Sequence, residues 1–182
     1  KTKGIIINSP NNPTGCVYSR EELKEIADLA VKEDFFVVSD EIYEELIYGD
    51  AEHVSIASFG EEIKERTIVI NGMSKAYAMT GWRIGFAAGP KEIVDIMSNI
   101  QSHATSNPNS IAQYASTVGL NESKKVTKEM VKAFKERRNY MVKTINDMAK
   151  VSCNKPEGAF YVMMNIENLE KELGGLVKEL HF

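Results

Sequence analysis

Two short runs of β-branched and aromatic residues, Gly4–Asn8 and Phe35–Asp40, each end at a polar position, and the stretch between them is patterned as a single helix. An uninterrupted apolar run of this length suits a strand buried on both faces. The first run passes at once into Ser9-Pro10-Asn11-Asn12-Pro13-Thr14-Gly15, a sequence rich in turn formers, in which an X-Pro bond such as Asn12–Pro13 is expected to be cis. Ser19 and Glu22 form a capping box, and Leu23, Ile26, Ala27 and Ala30 recur at helical spacing, so a helix is predicted from about Arg20 to Lys32. Strand, helix and strand within one short unit predict two parallel strands joined by a crossover.

Thr67–Asn71 is a third predicted strand, and the preceding segment from Asp50 to Arg66 has room for a short helix and loops. Ile84–Ala88 follows after a connection too short for a crossover helix, which predicts an antiparallel strand. From Lys91 the pattern becomes helical. Ile93, Ile96, Met97 and Ile100 make one stripe, residues 109–120 a second helix, and residues 122–149 a long helical segment with Val126, Met130, Ala133, Phe134, Tyr140, Met141, Ile145 and Met148 as its apolar positions. The Lys/Glu pattern of residues 122–138 reads as a solvated face. Lys155–Gly158 is a turn, and Ala159–Asn165 is predicted as a strand opening a smaller domain. The fold class expected is α/β: part of a mixed, mainly parallel sheet flanked by helices over residues 1–120, then a linking helix and the start of a small α+β domain over residues 121–182.

The polar clusters around Asn12, Asp40 and Lys75 each follow a predicted parallel strand, and ligands of open α/β sheets bind along that carboxyl edge. An amide, an acid and an amine on one rim make a small-molecule site. A formal charge of −4 supplies no broad basic surface, so neither nucleic acid nor an anionic membrane is expected as a partner. No apolar run approaches the roughly 18 residues that span a bilayer. Cys16 and Cys153 lack metal-ligand spacing, no metal site is expected, and a reducing cytoplasm fits them best. His53, His103 and His181 show no partner spacing, and Glu41, Glu44 and Glu45 read as solvated or structural.

Three segments carry a specific resemblance: Asn11-Asn12-Pro13-Thr14-Gly15, Ser39-Asp40-Glu41-Ile42-Tyr43, and Gly72-Met73-Ser74-Lys75-Ala76-Tyr77-Ala78-Met79-Thr80-Gly81-Trp82-Arg83-Ile84-Gly85. In order and spacing the chain resembles the class I and II aminotransferases of fold type I, with most likeness to their microbial aspartate aminotransferase branch. The resemblance implies pyridoxal 5'-phosphate as cofactor, held by Asn12, Asp40, Tyr43, Ser74, Lys75 and Arg83. Lys75 would form the Schiff base and shuttle the proton, and Asp40 would keep the pyridine nitrogen protonated. Asn12 and Tyr43 would hydrogen-bond the ring oxygen, while Arg83 and Ser74 would bind the phosphate. It further implies an L-amino acid and a 2-oxo acid as substrates, a cytoplasmic homodimer, and transamination as the reaction. A pyridoxal-phosphate-dependent C–S lyase, a cofactor sensor and a catalytically silent fragment are the alternatives. Ser102 stands where animal and enterobacterial aspartate aminotransferases have an arginine for the distal carboxylate, which removes one argument for aspartate. The chain begins at Lys1 and reads as a central fragment, expected to turn over little by itself.

Overall fold

The computed structural model describes residues 1–172; the expected continuation of the small domain beyond them, including His181, lies outside the described residues. Four strands form one sheet in sequence order: β1 (Gly4–Asn8), β2 (Phe36–Asp40), β3 (Thr67–Gly72) and β4 (Gly85–Ala88). The first three are parallel and β4 is antiparallel to β3, as the short connection predicts. Asn8 pairs with Asp40, and Asp40 with Ile70, so β1 and β2 end level while β3 runs on to Gly72 against β4. The ladder continues past the strands, with Ser9 N–H donating to Asp40 O at 3.2 Å and Glu41 N–H to Ile70 O at 2.9 Å.

Helix α1 (Arg20–Glu33) starts at the capping box: Glu22 N–H donates to Ser19 Oγ at 3.2 Å, and Ser19 N–H to Glu22 Oε2 at 2.8 Å. It stops at Asp34, whose left-handed backbone (φ 51°) turns its N–H onto Ala30 O. The buried face, Leu23, Ala27 and Ala30, packs on Ile7, Val37 and Phe35. Ile56, in a 3-10 turn, and Ile63, in the short helix α2 (Glu61–Lys64), complete this first core.

Helices α3 (Lys91–Ala104), α4 (Ser110–Glu122) and α5 (Lys124–Asn146) follow. The apolar stripe of α3 stays in solvent, with Ile96 60% and Ile100 64% exposed, because nothing among the described residues lies across it. On α5, Met130 and Phe134 pack against a second core of Tyr43, Leu46 and Ala159, whereas Val126, Tyr140 and Met141 are exposed, as is Met148 beyond the helix end. The solvated face expected on this helix has one exception. Arg138 is buried, donates to Pro156 O, and stacks 4.9 Å from the centre of the Tyr48 ring.

The strand expected over Ala159–Asn165 is reduced to β6 (Met164–Asn165), which pairs antiparallel with β5 (Ser152–Cys153), before α6 (Glu167–Glu172). Ala159 takes a left-handed backbone (φ 56°), which breaks an extended run. Its neighbours are bound elsewhere: Ala159 N–H donates to Leu46 O at 2.9 Å, Tyr48 N–H to Glu157 O at 2.8 Å, and the Tyr48 hydroxyl to Ala159 O. The same segment clasps the first loop, since Glu157 and Gly158 N–H both donate to Gly15 O at 2.9 Å. The Asn12–Pro13 bond is cis as expected, and Ser9–Pro10 is cis as well.

His53, for which no partner was expected, sits with Nε2 3.0 Å from Glu41 Oε2. The two lie twelve positions apart in irregular chain, a spacing that no periodicity marks. Glu41 is buried rather than solvated and also accepts from Ser39 Oγ and Ser55 Oγ, both at 2.8 Å. Burial alone would raise its pKa; the hydrogen bonds from His53, Ser55 and Ser39 outweigh this and hold the carboxyl below its ordinary value of 4.5. The contribution of this group to stability is therefore complete above pH 4.5 and is lost as the pH falls through the lower folded-state value.

Two outcomes are expected in the intact protein. Glu41→Gln keeps one acceptor oxygen but turns an NH2 toward donors that the other oxygen served, and should lower stability by about 1–3 kcal/mol near neutral pH, with the deficit shrinking below the ordinary carboxyl range, as read from denaturant midpoints across pH. Gly158→Ala would put a Cβ 2.6 Å from Pro10 Cβ and 3.0 Å from Val17 Cγ2. It should cost about 1–3 kcal/mol by the same measurement.

Candidate active site

The carboxyl ends of β1, β2 and β3 bring three loops to one rim. The first, residues 9–16, is set by asparagine side chains. Asn8 Oδ1 accepts from Asn12 N–H at 2.8 Å, and Asn11 Oδ1 accepts from Thr14 N–H at 3.1 Å and from its hydroxyl at 2.7 Å. Asn11 is thereby used up in holding the turn, while Asn12 is exposed.

The second loop leaves β2 at Asp40. One carboxylate oxygen, Oδ1, accepts from Ile42 N–H at 3.2 Å and fixes the turn. Backbone bonds Glu44 N–H to Glu41 O (2.9 Å) and Leu46 N–H to Tyr43 O (2.8 Å) curl the chain so that Tyr43 turns inward, buried against Leu46 and Ala159. The Tyr43 phenol is pushed well above its ordinary pKa, first by burial and also by the nearby Asp40 carboxylate, with the Asn12 amide acting in the opposite direction. It stays a neutral phenol throughout the physiological range.

The third loop follows β3. Met73 and Ala76 are buried, Ala78 N–H donates to Lys75 O at 3.3 Å, and Thr127 Oγ1 of α5 donates to Ala76 O at 3.2 Å. These contacts root the loop on both sides of Lys75. Its Nζ lies 5.7 Å from the centre of the Tyr43 ring and 5.4 Å from that of Phe160. The ion pairs formed by lysines of the described residues involve Lys24, Lys32, Lys64, Lys91, Lys150 and Lys171, and leave Lys75 out. A bridge ties the second loop to the third: Asn71 Nδ2 donates to Glu44 Oε1 at 2.6 Å, and Asn71 Oδ1 accepts from Gly72 N–H at 2.7 Å.

Ser74 is half-buried beside Lys75, and no hydrogen bond of its side chain is formed among the described residues. Arg83 stands apart. It ends the 3-10 turn Thr80–Trp82 in a left-handed backbone (φ 51°), is exposed, and donates from one guanidinium nitrogen to Thr80 O at 2.8 Å. It lines an open hollow with Trp82, Asn109 and Ile111.

Two residues that sequence reasoning had assigned to a strand belong to this site. Phe160 and Tyr161 arrive from the far end of the chain. Phe160 meets Tyr43 edge to face, with ring centroids 5.4 Å apart, and the Tyr161 hydroxyl is 2.8 Å from that of Tyr43. The turn Lys155–Gly158 and the aromatic pair after it were visible in the sequence; their pairing with Tyr43, 118 residues away, left no periodic trace.

An amine walled by aromatic rings, a carboxylate with one oxygen left over from its turn, a neutral phenol and an amide suit a planar, polar-edged heteroaromatic aldehyde. The donor set fits pyridoxal 5'-phosphate. Comparison with known proteins gives the same direction. The family described as Aminotransferase class I and II matches residues 1–181. The aspartate aminotransferase of Bacillus subtilis is 47% identical over 174 residues, covering 96% of this chain and 44% of that protein. Among solved structures, the aspartate aminotransferase of Rhizobium meliloti superposes with a TM-score of 0.88 at 38% identity, over 91% of this chain and 42% of that one. The aromatic aminotransferase of Pyrococcus horikoshii superposes with a TM-score of 0.85 at 46% identity, over 88% and 43% respectively. The chain thus spans less than half the length of the relatives it matches. Its mixed, mainly parallel sheet is the α/β fold of these enzymes, and the chain belongs to the family of class I and II aminotransferases.

Proposed function

We propose that the whole protein is a pyridoxal-phosphate-dependent aminotransferase that moves an amino group between an L-amino acid and a 2-oxo acid. The observation that carries this reading is the Lys75 amine, rooted on both sides and flanked by the Tyr43 and Phe160 rings, on the rim that also holds Asp40 and Asn12. When bound, the cofactor supplies an aldehyde that combines with an amine and a ring that takes up the electrons released at the substrate α-carbon. Lys75 holds the cofactor at rest and, once displaced by substrate, its amine carries the proton to and from the α-carbon. Asp40 presents its remaining oxygen to the ring nitrogen and keeps it protonated. Tyr43, neutral, and Asn12 donate to the ring oxygen. Arg83 and Ser74 bind the phosphate, Arg83 through the guanidinium nitrogens not used on Thr80.

Aspartate and aromatic amino acids are the substrate classes that the names of the relatives suggest. The homodimer is supported by the apolar residues left in solvent, among them Trp82, Phe86, Ile111 and Tyr114. No helix among the described residues is long and apolar enough to cross a membrane, and both cysteines are free thiols; a cytoplasmic location agrees with these features. We divide the chain into a cofactor-binding part, residues 1–120, and the linking helix with the start of a small domain, residues 121–182; the break between α4 and α5 at Ser123 supports the boundary.

Borohydride reduction of the full-length protein with pyridoxal phosphate should label the peptide containing Lys75, and Lys75→Ala should abolish the label and slow turnover by at least about 10²–10⁴-fold. A label on another lysine would refute the assignment. Asp40→Asn should keep the label while lowering kcat by about 10²–10³-fold. Stoichiometric conversion of the bound cofactor to its amine form by an amino acid identifies the transaminase; release of a thiol and pyruvate from a cysteine conjugate would identify the lyase instead.

A further inference from the structure

Tyr43 and Tyr161 bring two phenols to one point, with their oxygens 2.8 Å apart. Each phenol has one proton to donate, and its oxygen can accept. If Tyr43 spends its proton on Tyr161, it has none for the cofactor; if Tyr161 is the donor, the Tyr43 proton remains available and its bond is strengthened by the one received.

The surroundings decide between these arrangements. Tyr43 has Asn12 and Asp40 beside it at the rim, the Lys75 amine over its ring, and the apolar side chains Met130, Val131 and Phe134 of α5 among the residues packed on its cluster. The polar side of Tyr43 is therefore the side of the proposed cofactor contact. Tyr161 is fixed by its own segment. Its ring lies against Phe160 at 4.9 Å between centroids and edge-on to Tyr43 at 5.8 Å, and the chain leading to it is tied down by Ala159 N–H on Leu46 O and by the Tyr48 hydroxyl on Ala159 O. Among the described residues Tyr43 is the one hydrogen-bond partner of the Tyr161 hydroxyl, so this hydroxyl has no competing use.

We infer that Tyr161 is a positioning residue of the transamination site: its hydroxyl donates to Tyr43, orients the Tyr43 proton toward the ring oxygen of pyridoxal phosphate and strengthens that bond. The inference rests on the reading of Lys75 and Tyr43 as cofactor contacts. It adds a residue from the segment that opens the smaller domain, so that the position of residues 158–161 bears on the cofactor through Tyr43. A hydrogen bond to the ring oxygen favours its anionic form and thus lowers the pH at which the bound cofactor gives up its proton. Removing the Tyr161 hydroxyl weakens the Tyr43 bond and must raise that pH.

The test is a spectrophotometric pH titration of the visible band of bound pyridoxal phosphate in the full-length protein, for wild type, Tyr161→Phe, Tyr43→Phe and the double variant. Tyr161→Phe keeps the ring that packs on Phe160 and Tyr43. The expected result is a midpoint raised by about half a pH unit in Tyr161→Phe, a larger rise in Tyr43→Phe, and a double variant no different from Tyr43→Phe alone. A purely structural role for Tyr161 would leave the midpoint in place. An unchanged or lowered midpoint in Tyr161→Phe, with the rise intact in Tyr43→Phe, would overturn the inference and spare the Tyr43 assignment; so would additive shifts in the double variant. A midpoint that Tyr43→Phe itself does not move would overturn both.

Discussion

The approach of Gly158 to Pro10 and Val17 is the constraint on which the arrangement of the rim depends. A Cβ at Gly158 would overlap Pro10, and a Cβ at Gly15 would lie 2.4 Å from Pro156, so the two backbones touch where side chains normally keep them apart. This contact lets Glu157 and Gly158 bond to Gly15, and it brings the next three residues onto the second loop. Ala159 then engages Leu46, Phe160 closes over Lys75, and Tyr161 reaches Tyr43. One stretch of six residues, Pro156–Tyr161, thereby touches each of the three loops that the sheet brings to the rim.

The sheet and the clasp do different work. Parallel register aligns Asn8, Asp40 and Ile70, which sets the heights of the three loops, but register says nothing about which way a side chain turns once the strand has ended. Orientation comes from polar contacts made after the strands. Asp40 is set by Ile42 N–H, Glu41 by two serines and His53, and Glu44 by Asn71, which in turn holds Gly72 at the root of the Lys75 loop. Burial raises the pKa of Glu44, whereas the donors around Glu41 lower its own. Two nearby carboxylates are thus pushed apart in acidity, which reduces their mutual repulsion behind the rim.

The local part of this structure was legible in the sequence. The capping box at Ser19 and Glu22 located α1, the β-branched runs located three strands, and the short connection before Ile84 gave the antiparallel sense of β4. The acid, phenol and lysine follow successive strands of one sheet, and the Lys75 amine lies 5.7 Å from the centre of the Tyr43 ring. What could not be read was non-local. His53 beside Glu41, Arg138 beneath Tyr48 and Tyr161 on Tyr43 are pairings between irregular or distant segments, where no period of 2 or 3.6 residues links the partners. The error over Ala159–Asn165 has the same origin, because the apolar pattern of that run serves packing around an aromatic cluster and not a ladder.

The distances along the chain within the clasp also govern when the rim can exist at all. The Tyr48–Ala159 and Tyr43–Tyr161 bonds close loops of 111 and 118 residues. During synthesis, β1, α1, β2 and β3 can assemble while the rest is still being made, but Lys75 lacks its Phe160 wall and Tyr43 its phenol partner until the segment after Pro156 has left the ribosome. A nascent chain therefore carries its motif lysine on a half-built rim for most of the time it takes to make these residues, and the rim is completed by the arrival of the segment after Pro156 and not by the folding of the sheet that carries the motif.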